Sequence, residues 1–152
     1  MASVLPAAGF PEPGTLLDVG SGNGSPGLVW ALLRDDLEVT LLEPRTRRWA
    51  FLREAARRCG EGRVRVLRGR HDAYSGPPAR TVTVRALALP LRELAPLVEP
   101  GGQVLILGAA PALDGPFERK APPVPGEGVH CFLRRDVSRE TFPGPGENGE
   151  AR

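Results

Sequence analysis

TLLDVGSGNGSPG, residues 15–27, is the stretch that decides the fold. Thr15 to Val19 form a short apolar run interrupted by a single acid, Asp18, and read as a buried strand. Glycines then crowd positions 20, 22, 24 and 27, the signature of a tight turn. Leu28 to Leu33 follow as an apolar stretch. They predict a helix over residues 26–34, capped by Ser25 and with Pro26 in its first turn, where a missing N–H costs nothing. A strand, a glycine turn and a helix in that order place a ligand site at the carboxyl end of the strand.

Outward from this unit the text keeps alternating. EVTLLE at 38–43 reads as a second strand, and TRRWAFLREAARRC at 46–59 as a second helix closed by Gly60. Trp49, Leu52 and Ala56 share one face of that helix, and Phe51 is also expected in the core, while Arg47, Arg48, Arg57 and Arg58 lie mostly off that face. Further strands are read at 63–68, 80–86, 103–108 and 129–135, with a short helix at 91–98. Residues 108–128 carry five prolines and four glycines and are expected to be loop. The alternation predicts an α/β fold: a doubly wound, mostly parallel sheet with helices on both faces. One domain is expected over 15–135, after an irregular lead-in at 1–14 broken by Pro6, Pro11 and Pro13. Residues 136–152 are too poor in apolar side chains to order themselves.

Composition narrows the function. The chain has 152 residues, 41% of them hydrophobic, which suffices for one core. No stretch approaches the roughly 20 apolar residues of a membrane helix, and the start lacks the layout of a signal peptide, so no membrane partner and a cytoplasmic location are expected. Cys59 and Cys131 stand far apart, and His71 and His130 do not complete a ligand pattern, so no metal is expected. The net charge is only +2. Nineteen of the twenty basic residues are Arg, Lys120 being the exception, a bias read first as a property of the genome.

Gly22, Gly24 and Gly27 spell G-x-G-x-x-G, and Glu43 ends the second strand about 20 residues on, which taken bare admits a dinucleotide. Asp18 argues otherwise. A carboxylate beside the loop repels a pyrophosphate but accepts hydrogen bonds from an ammonium group, directly or through water. S-adenosylmethionine carries that ammonium, a sulfonium and a ribose diol that Glu43 can hold with both oxygens. Free N–H groups at the helix start near Ser25 and Pro26 are expected to meet its carboxylate.

Five segments carry a resemblance to a known family: LLDVGSGNGSPGL at 16–28, RRWAFLREAARRCG at 47–60, GRHDAY at 69–74, VRALALP at 84–90 and LVEPGGQVLIL at 97–107. Together, in register over about residues 3–143, they resemble the small-subunit ribosomal RNA guanine-N7 methyltransferases, also called the glucose-inhibited division protein B family. The resemblance implies a Rossmann-like class I methyltransferase fold, S-adenosylmethionine as cofactor, and small-subunit ribosomal RNA or the ribosomal subunit as partner. It places cofactor contacts on Gly20 and Ser25 in the loop, on His71 and Asp72 after the third strand, and on Arg85 after the fourth. Ser21, Gly22 and Gly24 complete the loop, and Asp18 and Glu43 keep the roles argued above. Where the family usually has a small residue and Glu, this chain has His71 and Asp72. His71 reads equally as an exposed loop histidine.

The family's helical N-terminal segment, its Lys after the fifth strand and its basic tail have no counterpart in residues 1–14, at Gly108 and Ala109, or in PGPGENGEAR. Each would help hold RNA. The alternative is therefore a catalytically impaired paralogue that serves as an S-adenosylmethionine-binding or partner module. A nicotinamide-dependent oxidoreductase survives only on the bare glycine motif. The Pro-rich start, leaving one end of the sheet without helical cover, suggests a homodimer.

Guanine N7 has an in-plane lone pair and no proton, so methylation there needs alignment and no catalytic His or Cys. Arg85 is the candidate catalytic residue, placed near the cofactor to orient the base, with a salt bridge to Asp72 or Asp18 as the structural alternative. Residues 45–70 hold ten arginines against Glu54 and Glu61. Arg45, Arg47 and Arg48 are the candidate RNA contacts, against the reading of a solvated helix face. Among aromatic residues only Tyr74 is expected near the site.

Overall fold

The computed structural model describes residues 11–59, 62–121 and 128–136. The lead-in expected at 1–14, the helix stop at Gly60 and the tail from 136 lie mostly or wholly outside them. In chain order the elements are β1 (Gly14–Val19), α1 (Gly27–Leu33), β2 (Leu37–Leu42), α2 (Thr46–Cys59), β3 (Val64–Leu67), β4 (Ala79–Arg85), α3 (Leu91–Leu94), β5 (Val98–Leu107), β6 (Phe117–Lys120) and β7 (Val129–Arg134). Single 3-10 turns, His71–Ala73 and Ala95–Leu97, precede β4 and β5.

One seven-stranded sheet runs β3-β2-β1-β4-β5-β7-β6. β1 pairs in parallel with β2 and β4, and β2 with β3 and β4 with β5 likewise. β7 enters antiparallel between β5 and β6. A central parallel strand is covered on both faces and must be apolar on both. Leu16 and Leu17, adjacent in β1, accordingly belong to opposite core layers. Leu16 packs with Trp30 and Ala31 of α1, Val39 and Leu41 of β2, and Leu52 of α2. Leu17 packs with Val82, Val84, Val104, Phe132 and the α3 residues Leu91 and Leu94.

Two expectations are corrected here. The stretch 108–128 is not all loop: residues 117–120 form β6, because β7 offers an edge whose N–H and C=O groups need partners. Phe51 is not in the core. It is 57% exposed, while Leu52, one residue on, is fully buried. Trp49 is half-buried, with Arg53 stacked 4.8 Å from its ring centre and its indole N–H without a partner among the described residues.

Candidate functional site

The strand order reverses between β1 and β4, and the crevice at the carboxyl ends of strands around such a switch is where open α/β sheets bind ligands. A cleft of about 370 Å³ opens there, within the usual size range of small-molecule sites. Its walls come from the loop after β1 (Gly20, Gly22), the end of β2 and its sequel (Glu43, Arg45, Arg48), the turn after β3 (Arg70, His71) and the segment after β4 (Arg85, Leu87, Leu89).

The loop is shaped by two carboxylates. Glu43 is 3% exposed. One of its oxygens accepts from the Gly22 N–H at 2.9 Å and the other from the Arg45 N–H at 2.9 Å. A carboxylate has about four acceptor positions, so capacity remains for hydroxyl groups in the cleft. Asp18 is buried beneath the loop, directly opposite Thr83 in the β1–β4 register. Its Oδ1 accepts from the Thr83 hydroxyl at 2.5 Å and its Oδ2 from the Gly27 N–H at 3.3 Å. Burial pushes the Asp18 carboxyl up to about 6, although the bonds from Thr83 and Gly27 and the nearby Arg85 charge pull it down.

Asp18 therefore holds the loop down from below, and its carboxylate is buried and off the cleft wall. Gly27 fits for the same reason: a Cβ there would stand 2.6 Å from Leu41 Cδ2 and 2.7 Å from Asp18 Oδ2. Gly20 has φ +71, a left-handed value that L side chains rarely adopt.

The helix start is also corrected. Ser25 makes no side-chain cap, and Pro26, after a cis Ser25–Pro26 bond, itself occupies the N-cap position. The N–H groups expected to be free are committed: Gly27's to Asp18 and Leu28's to the Gly24 carbonyl at 2.7 Å. Ser21 is buried and donates to the Asp18 carbonyl at 2.9 Å. Ser21, Gly24 and Ser25 thus lie within the loop and off the cleft wall.

After β3, His71 is buried rather than exposed, and its Nε2–H donates to the Glu93 carboxylate at 2.8 Å. Asp72 is exposed, pairs with Arg70 at 3.4 Å and does not line the cleft. Arg85 makes neither expected salt bridge. Its guanidinium donates to Asn23 Oδ1 at 2.9 Å, linking the end of β4 to the tip of the glycine loop. Tyr74 lines a different cavity, with Leu17 and Ala79, and donates to the Pro77 carbonyl at 3.1 Å.

Several arginines of the 45–70 segment are paired with carboxylates. Arg57 and Arg58 pair with Glu54 at 2.9 and 2.7 Å, Arg63 with Asp35 at 3.3 Å and Arg70 with Asp72. Arg45, Arg47 and Arg48, at the cleft end of α2, have no side-chain partner among the described residues. Those three arginines bring positive charge to the mouth of the cleft.

Sequence reasoning missed Leu87 and Leu89, which line the cleft. Both lay in the VRALALP segment that carried the resemblance, and their place directly after β4 was the available signal. Ala86, beside them, has φ +53, unusual for a residue other than glycine.

A parallel sheet in this order with a glycine loop after β1 and an acid after β2 defines a Rossmann-like class I methyltransferase fold. Solved structures agree. A putative methyltransferase, yhhF from Escherichia coli, superposes with TM-score 0.64 at 19% identity over 80% of this chain and 77% of that one. The antibiotic-resistance methyltransferase Kmr gives 0.61 at 20% identity, over 80% and 86%. Sequence comparison is more specific. Residues 2–121 match the family model GidB, rRNA small subunit methyltransferase G, and the chain belongs to that family. A relative from Streptomyces avermitilis, named ribosomal RNA small subunit methyltransferase G, is 48% identical over 103 residues, 64% of this chain and 43% of the relative. One of the same name from Salinispora arenicola is 46% identical over 124 residues, 74% and 51%. The chain spans about half the length of the curated relatives it matches.

Proposed function

We propose that the chain binds S-adenosylmethionine in the cleft and transfers its methyl group to N7 of a guanine in small-subunit ribosomal RNA. The observation that carries this reading is Glu43, whose carboxylate pins the glycine loop and still faces the cleft with acceptor capacity for a ribose diol. The cofactor fits the rest of the cleft. Gly20 and Gly22 allow close backbone approach, and Val19, Leu42, Leu87 and Leu89 give apolar walls for an adenine.

When bound, the cofactor would supply an electrophilic methyl group for the N7 lone pair and would leave as the neutral thioether. No proton moves, so the chain's work is alignment. Arg85, hydrogen-bonded to Asn23 at the loop tip, is the candidate to orient the guanine. Arg45, Arg47 and Arg48, without side-chain partners among the described residues, supply positive charge for phosphates. A cytoplasmic location follows from this reading, and no helix among the described residues is long and apolar enough to cross a membrane.

Calorimetric titration with S-adenosylmethionine and separately with NAD, followed by transfer of labelled methyl to small ribosomal subunits, tests the proposal. Binding of the first alone, with labelled rRNA, is the expected result. Binding without labelling overturns the enzymatic reading in favour of the impaired paralogue, and binding of NAD alone overturns the cofactor. A homodimer is part of the proposal, supported by Val29, Leu32 and Leu33, a stripe on α1 that is 46–53% exposed. A monomeric mass by light scattering at micromolar concentration removes it.

A further inference from the structure

Beside the cofactor cleft lies a second cavity of about 330 Å³, lined by Gly22, Asn23, Arg47, Arg48, Phe51 and Arg85. The two cavities share Gly22, Arg48 and Arg85, so they meet at the loop tip. On α2, positions 47 and 48 stand four and three residues before 51 and share its face of the helix. Leu52 and Ala56 turn to the sheet and are buried, which leaves Phe51 turned outward between two arginines. Phe51 is 57% exposed, and two guanidinium groups without side-chain partners among the described residues flank it in the cavity wall. An apolar peptide would gain from the ring but not from Arg47 and Arg48. A nucleotide gains from both, because every base has a π face and carries a phosphate beside it.

We propose that this cavity is the nucleobase subsite: Phe51 stacks an unpaired base of the RNA substrate, and Arg47 and Arg48 hold its flanking phosphates. The inference rests on the methyltransferase reading and deepens it, since the shared Arg85 then brings the stacked base edge toward the cofactor cleft. A base must leave its stack to present N7 to a recessed site, and a ring at the cavity wall replaces the lost stacking partner. Phe51 is a substrate-positioning residue here. The reacting atoms lie on the cofactor side of Arg85.

The test uses the full chain with a short fluorescein-labelled single-stranded RNA containing one guanine, read by anisotropy, with S-adenosylmethionine titrated in parallel. Base-on-aromatic stacking is worth about 1–3 kcal/mol, so Phe51→Ala and Phe51→Leu are expected to weaken RNA binding by about 5-fold to 150-fold. Phe51→Trp is expected to retain it, and all three variants are expected to bind the cofactor like the parent. Arg47→Ala should lower the slope of log affinity against log salt by about 0.7. Phe51→Leu binding RNA as the parent does overturns the stacking subsite and leaves the methyltransferase reading standing. Equal weakening in the Leu and Trp variants overturns it as well. Parent protein that binds cofactor but neither binds the RNA nor labels ribosomal subunits brings down the substrate reading and the subsite with it.

Discussion

Glu43→Ala is expected to weaken S-adenosylmethionine binding by about 100-fold or more. Its carboxylate accepts the backbone N–H groups of Gly22 and Arg45, and a hydrogen bond to a charged group contributes about 1.5–3 kcal/mol. Truncation leaves both N–H groups without the acceptor that Glu43, itself 3% exposed, provides. The loop tip is then free to leave the position in which a ligand would meet it, and the ribose loses its acceptor at the same stroke. Glu43→Gln keeps one acceptor oxygen and should fall between parent and Ala. Calorimetry on variants with unchanged circular dichroism measures the effect. An unchanged dissociation constant for the Ala variant removes Glu43 from the site.

Stability is expected to fall as pH rises from 3.8 to about 6, by about 3 kcal/mol from Asp18 alone. In the unfolded chain this carboxyl ionises near 3.8, whereas burial in the folded state delays ionisation to about 6. Between those values the folded state holds a proton that the unfolded state has released, so the contribution is greatest below 3.8 and absent above 6. Asp18→Asn cannot ionise. Its oxygen still accepts from Gly27, and its amide donates to the Thr83 hydroxyl, which rotates to receive it. Urea midpoints measured across this range should slope for the parent relative to the Asn variant. Parallel curves would show that Asp18 ionises like an exposed aspartate.

The strand, glycine turn and helix of residues 15–33 were legible because local patterns make them. Apolar runs, turn glycines and the spacing to Glu43 are all set within a short stretch of chain. The bounds of α2 at 46–59 were legible for the same reason. What stayed hidden depends on distant partners. The β6 strand exists because β7 offers it an edge, which a Pro-rich stretch does not announce. His71 is buried with its ring bonded to Glu93, 22 residues on, and Asp18 turns inward where Thr83 comes to stand beside it. Phe51 misled in another way: apolar character makes a side chain eligible for the core without placing it there. The helical period, which puts Leu52 and Ala56 on the sheet, turns Phe51 away from it.

Asp18 and Glu43 fasten the glycine loop to the ends of two different strands, and both fastenings are made within the chain itself. Glycines lose more conformational freedom on ordering than any other residue. Folding has already met that loss, so a ligand arriving at the cleft need not freeze the loop to be held. Its affinity is then governed by desolvation and contact, as in a receptor built before its guest.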